Sequence, residues 1–194
     1  MTATPLTVEQ LQPRLGELTL IDVRSPGEYA SGHIPGALNV PLDQLDRALP
    51  ALREAAGNKE IAVVCAAGPR ADNACRRLAE AGIPTLTLTG GTNAWASAGR
   101  PLDQVAGARR TWALDRQVRL VAGSLVVAGL LVDLAKPGAR WVSAAVGGGL
   151  AFSALTNTCA MGSLLSKLPY NRPRPGTPGL DRTLATLTSC PIER

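Results

Sequence analysis

Apolar positions change their period along this chain, and the changes mark out its elements. Leu18 to Ile21 is a continuous apolar run ending at Asp22, which predicts a buried strand. Ile61 to Val64 is a second such run leading straight to Cys65, and Thr85 to Leu88 reads as another strand. Between them the period lengthens. Ala71, Ala74, Cys75, Leu78 and Ala79 fall on one face at helical spacing and predict a helix over 71–81. Asp72 in its first turn, Arg76 and Arg77 further on, and Gly82 just beyond its end suit the helix dipole and a glycine stop. Thr7-Val8-Glu9-Gln10 and Ser25-Pro26-Gly27-Glu28 have capping-box spacing, and Gly32 ends the second helix. Asn39 to Pro41 reads as extended and Leu42 to Leu52 as helical. Gly90-Gly91 turns the chain into a short helix carrying Trp95. Strands alternating with helices predict an α/β fold, a parallel sheet with helices on both faces. Right-handed crossovers then gather the strand-end loops, including that of Cys65, on one edge.

From Val118 the pattern becomes apolar almost throughout. Leu120 to Ala135 has only Asp133, and Trp141 to Ser166 has no charge in 26 residues. Crossing the hydrocarbon core takes about 20 residues, so two spans are expected over about 118–135 and 141–166. Arg119 would snorkel, and Lys136 to Arg140 would form a tight loop. Arg109, Arg110, Arg116 and Arg119 precede the hairpin, and Lys167, Arg172 and Arg174 follow it. Only Lys136 and Arg140 lie between the spans. This bias puts both termini in the cytoplasm. The alternative is a buried helical hairpin packed on the first domain. Ser143, Gly147 and Ala151, and also Ala145, Gly149 and Ser153, recur every four residues. Such small faces suit close helix contact within the hairpin or across a homodimer. Thr156, Asn157 and Thr158 suit interhelical hydrogen bonds or a polar path for an anion, with Cys159 beside them as a sulfur acceptor. The organisation is thus a domain over 1–107, a hairpin over 108–170 and a disordered cytoplasmic tail over 171–194.

Composition narrows the chemistry. A net charge of +5 and 3% aromatics among 194 residues argue against a nucleic-acid partner. Cys65, Cys75, Cys159 and Cys190 form no C-x-x-C pair, and His33 is the one histidine. No metal site is expected, and no cofactor. Residues 1–16 have neither a basic nor an apolar leader region, so no signal peptide is expected and the first domain belongs in the reducing cytosol.

Cys65-Ala66-Ala67-Gly68-Pro69-Arg70 carries the chemistry. It sets a sulfur at a tight loop whose backbone N–H groups can converge on it, with an arginine and a helix N-terminus behind. This arrangement favours a thiolate and an anion bound to it. Cys65 is the candidate nucleophile. Ala66, Ala67, Gly68, Arg70 and Ala71 are the candidate substrate-binding residues, and Arg70 can grip a sulfonate in a fork. Cys75 on the apolar helix face is expected to pack. Arg24 and Glu28 are expected to pair with each other, and His33 to fix a turn.

Asp22-Val23-Arg24, Glu28-Tyr29 and Gly32-His33-Ile34-Pro35-Gly36-Ala37 resemble the first signature of rhodanese domains. The Cys65–Arg70 loop and Gly90-Gly91-x-x-x-Trp95 resemble the remaining ones, in the same order. The resemblance covers roughly Leu6 to Leu102. Arg116 to Gly123, Cys159-Ala160-Met161 and Lys167 to Asn171 resemble the two-helix membrane segment of bacterial inner-membrane rhodaneses. It implies a five-stranded parallel sheet, an inner-membrane location and sulfur transfer through a persulfide on Cys65. Sulfur would pass from thiosulfate or a similar anion to cyanide or a thiol. The Cys-x4-Arg spacing fits sulfur, whereas related phosphatases use Cys-x5-Arg. Ala66, Ala67 and Pro69 depart from the family's pattern, offering no charge or hydroxyl and one N–H fewer. That departure suits slower catalysis or a donor less anionic than thiosulfate. Two other functions stay open. One is a transporter or channel for thiocyanate or sulfite, and the other a sulfur- or redox-sensing module without turnover.

Overall fold

The computed structural model describes residues 3–106, 112, 114–156, 164–165, 168 and 179–189. They form two compact units, Met1–Thr111 with Tyr170–Arg194, and Trp112–Pro169.

The first unit is built on five parallel strands. They are β1 (Thr4–Leu6), β2 (Thr19–Asp22), β3 (Leu38–Asn39), β4 (Ile61–Val64) and β5 (Thr85–Leu88), in the order β1-β5-β4-β2-β3. The strand that delivers Cys65 is therefore the central one. β1, with Pro5 at its middle, was not legible in the sequence; it pairs Thr4 with Leu86 and Leu6 with Leu88. An edge position tolerates a proline, which has no N–H to give the ladder.

Strand side chains alternate between two cores. Ile21, Ile61 and Val63 enter one, with Leu45, Leu52, Cys75 and Leu78. Leu20, Ala62 and Val64 enter the other, with Leu11, Tyr29, Ile34 and Trp95. The helices covering them are α1 (Val8–Leu11), α2 (Pro26–Ser31), α3 (Leu45–Ala56), α4 (Pro69–Glu80) and α5 (Gly91–Ser97). A 3-10 turn over Leu42–Gln44 precedes α3. Both capping boxes form, with Thr7 and Gln10 closing α1 and Ser25 and Glu28 closing α2. α4 begins earlier than its apolar period suggested. Pro69 occupies the first turn, where a missing N–H leaves no helical bond unmade.

The tail requires a correction. A disordered segment was expected over 171–194, yet Leu180–Thr188 is a helix, α8. Leu187 and Thr183 are buried, and Leu180 and Leu184 pack against the same core as α3. Burying these leucines outweighs the Pro/Gly/Thr-rich composition of the approach.

The second unit contains α6 (Leu114–Asp133) and α7 (Arg140–Thr156), packed against each other. Their contact uses small residues. Ser143 Oγ donates to Val126 O at 2.9 Å, and a Cβ on Gly129 would stand 2.4 Å from that hydroxyl. Asp133 closes the turn by accepting from the N–H groups of Gly138 and Arg140 at 2.7 and 3.1 Å. Among the described residues, no helix is long and apolar enough to cross a membrane. α6 carries Asp115, Arg116, Arg119 and Asp133 within its bounds, and α7 is described over 17 residues. The spans expected over 118–135 and 141–166 are thus not seen as such. Asn157, Thr158, Cys159 and Cys190 lie outside the described residues.

Candidate functional site

The C-terminal ends of β2, β4 and β5 share one sheet edge, where Asp22, Val64 and Leu88 are their last residues. Cys65 follows Val64 and is buried. The chain then turns through Ala66 and Ala67 to Gly68, whose φ of 125° a residue with a Cβ rarely adopts. That conformation aims the Gly68 N–H at Cys65 Sγ, 3.1 Å away, and starts α4 directly behind the sulfur. A backbone donor and a helix N-terminus both favour negative charge on the atom they face.

The opposite side of the loop is fixed by α5. The Thr92 N–H and hydroxyl both donate to Cys65 O at 2.8 Å, and Asn93 N–H donates to Ala66 O at 3.0 Å. With their carbonyls held there, the loop peptides keep their orientation. Gly91 makes this approach possible, since a Cβ on it would lie 2.2 Å from Cys65 O. Thr92 and Asn93 were not singled out in the sequence. The signal was the Gly-Gly pair before a short helix, which marks a close backbone approach.

The candidate binding residues separate by position. Ala67 is exposed, and Gly68 and Arg70 are half-buried. Ala66 is buried, and Ala71 packs its side chain in the core beside Cys75 and Leu78. Arg70 corrects the expected ion pairing. Glu28 supports the Arg24 charge through space, and its ion pair is with Arg70. Its Oε2 and Oε1 accept from Arg70 Nη1 and Nη2, each at 2.8 Å. Burial opposes the Arg70 charge, but Glu28, with smaller help from Cys65 and Asp22, outweighs it and raises the guanidinium pKa. Arg24 instead turns back on Asp22, with Nη2 to Oδ2 at 2.6 Å, and also donates to Gly32 O. Residue 24 precedes the N-cap at Ser25, so helical i,i+4 geometry does not join it to Glu28.

His33 holds a turn: its Nδ1 lies 2.9 Å from Tyr29 O, and its backbone bridges Asp103 in both directions. Cys75 is buried in the core, and burial raises its thiol pKa. Tyr29 donates its hydroxyl to Ala37 O at 2.6 Å. Burial, then the carboxylates of Asp22 and Asp103, push its phenol from 10.0 up to about 12. The unfolded chain therefore loses this proton first as pH rises. The stability tied to it is intact below pH 10 and disappears through pH about 12. Alkaline denaturation should be less steep across that window in Tyr29→Phe than in wild type; equal slopes would count against this linkage.

Residues 7–98 match the rhodanese-like domain, and residues 113–173 match the transmembrane domain of YgaP-like inner membrane proteins. An uncharacterized protein of Synechocystis sp. is 37% identical over 174 residues, covering 89% of this chain and 94% of that one. The chain belongs to the rhodanese-like proteins that carry a YgaP-like transmembrane domain. A sulfurtransferase of Allochromatium vinosum is 34% identical over 98 residues, 48% of this chain and 89% of that one. A rhodanese-related protein of Thermoplasma volcanium, seen in a crystal structure, is 28% identical over 52% of this chain and 97% of its own, with a TM-score of 0.48. In this rhodanese-like protein the matched domain spans the whole Cys65 edge, from α1 to α5.

Proposed function

We propose that this protein is a membrane-anchored sulfurtransferase that carries sulfane sulfur as a persulfide on Cys65. The reading rests foremost on the placement of Cys65 Sγ at the end of the central strand, facing the Gly68 N–H at 3.1 Å and the start of α4. The Cys65 thiolate attacks the outer sulfur of thiosulfate. Its S–S bond breaks, sulfite leaves with the electron pair, and Cys65–S–S⁻ remains. Cyanide or an acceptor thiolate then takes the terminal sulfur, giving thiocyanate or a new persulfide and restoring the Cys65 thiolate. Gly68 N–H and the helix end favour the anion at each stage. Once the thiolate has formed, the transfer itself moves no proton.

The second unit supports membrane attachment through its surface. Leu131, Val132, Trp141, Val142, Phe152 and Leu155 are all exposed on α6 and α7. An apolar surface of this extent favours a nonaqueous neighbour, and the match to an inner-membrane transmembrane domain supports a bilayer in that role. The excess of basic residues flanking the hairpin supports a cytoplasmic side for both flanks.

Intact mass after incubation with thiosulfate tests the transfer step. The wild type should gain one sulfur atom and lose it on adding cyanide, and Cys65→Ser should gain none. Retention of thiosulfate:cyanide activity by Cys65→Ser would overturn the assignment. Turnover without any mass gain would equally exclude a persulfide carrier.

A further inference from the structure

The loop beside Cys65 carries one cation, and that cation is already spoken for. Arg70 offers five N–H donors in a planar fork, and its Nη1 and Nη2 both donate to Glu28 at 2.8 Å. Glu28 is 2% exposed, so this carboxylate is shielded from water and its charge is felt in full at Arg70. It is also held in place. Ser25 donates to Glu28 Oε2 through its hydroxyl at 2.9 Å and its N–H at 3.2 Å, as part of the α2 capping box. The carboxylate therefore cannot swing away from Arg70 without opening the start of α2. Ala66 and Ala67 add no charge and no hydroxyl, and Pro69 adds no N–H. What faces a donor at Cys65 is backbone dipole and a neutralised ion pair.

We propose that Glu28 is a specificity-determining residue: by neutralising Arg70 it turns the Cys65 site away from dianionic thiosulfate and toward the sulfane sulfur of a thiol persulfide. This inference rests on the sulfurtransferase reading above. The step balances without an oxidant or reductant. The Cys65 thiolate attacks the outer sulfur of R–S–SH, and a new S–S bond forms to Cys65. The donor's S–S bond breaks, and R–S⁻ leaves with the electron pair. The donor brings at most one negative charge to the reacting sulfurs, where thiosulfate brings two. The Gly68 N–H and the α4 terminus are enough to hold that single charge. A second one would need the uncompensated guanidinium that Glu28 removes.

The test compares glutathione persulfide with thiosulfate as donors to the full chain, with cyanide as acceptor, in wild type, Glu28→Gln and Glu28→Asp. Gln keeps an oxygen for the Ser25 cap and loses the charge. Wild type should favour the persulfide in kcat/KM by on the order of tenfold. Glu28→Gln should raise kcat/KM for thiosulfate through a lower KM, leave the persulfide nearly unchanged, and so narrow the preference. Glu28→Asp, which keeps the charge, should keep the wild-type preference. In wild type, the KM for thiosulfate should change little with added KCl, because paired charges present little field to screen. That measurement stands even if the variants fold poorly. A wild-type preference for thiosulfate would overturn the inference and leave the sulfurtransferase reading intact. So would an equal loss with both donors in Glu28→Gln. Failure of both donors to load Cys65 would overturn the two together.

Discussion

Gly91→Ala is expected to dismantle the Cys65 loop without touching the sulfur. The new Cβ would stand 2.2 Å from Cys65 O and 2.8 Å from both C and O of Ala66. All three are backbone atoms and cannot rotate aside. The φ of 59° at Gly91 adds left-handed strain for any residue with a side chain. Relief requires α5 to retreat, and with it go the Thr92 and Asn93 donors that hold the loop carbonyls. Strain together with lost buried hydrogen bonds amounts to roughly 3–5 kcal/mol. Amide exchange across 61–98 should accelerate accordingly, and sulfur loading of Cys65 should fall in step. Gly68→Ala is the informative contrast. It too has positive φ, but a Cβ there meets nothing within 4 Å. Its cost should be limited to backbone strain of about 1–3 kcal/mol. Should Gly91→Ala exchange no faster than Gly68→Ala, the clamp by α5 is not what holds the loop.

Replacing Asp22 with Ala should be comparably severe, for an electrostatic reason. Asp22 is fully buried, and Arg24 is 7% exposed. The carboxylate accepts from Arg24 N, Nε and Nη2, at 3.0, 3.0 and 2.6 Å. Removing it leaves a buried guanidinium with its counter-charge gone, which typically costs about 3–5 kcal/mol. The loss should spread, because Arg24 also anchors Gly32 O at the end of α2. Asn39 Nδ2 spans Asp22 O and Arg24 O at 2.9 Å each, tying β3 to the same corner. The double variant Asp22→Ala with Arg24→Met should be less destabilised than Asp22→Ala alone, since it removes the stranded charge. Urea denaturation in detergent would measure both. A cost below about 1 kcal/mol for Asp22→Ala would mean that Arg24 finds water or another acceptor.

The elements that a local rule specifies were legible in the sequence. Thr7 with Gln10, and Ser25 with Glu28, announce their helix starts because both halves of a capping box lie within four residues. The run Ile61–Val64 and the apolar face of α4 bracket the Cys65 loop, so the candidate nucleophile was legible too. What failed were relations set by tertiary structure. β1 is three residues long and contains Pro5; only pairing with β5 makes it a strand. Glu28 meets Arg70, 42 positions away, because α2 and the loop after β4 share the sheet edge. No spacing rule reaches that far. α8 is a different kind of miss. Leu180, Leu184 and Leu187 have helical spacing, but the Pro- and Gly-rich approach dominated the reading.

α8 has a consequence for the membrane anchoring proposed above. The strands of residues 4–88 and the helix of residues 180–188 belong to one folded body. The stretch from Trp112 to Pro169 leaves that body and returns to it. On the membrane-anchored reading proposed above, a chain that starts and finishes in one folded body makes an even number of membrane crossings between the two points. One crossing would strand Leu187 on the far side from Leu52 and Leu78, with which it shares a core. On that reading α8 acts as a parity check on insertion. A misthreaded copy would be left with an open patch over α3 where α8 belongs.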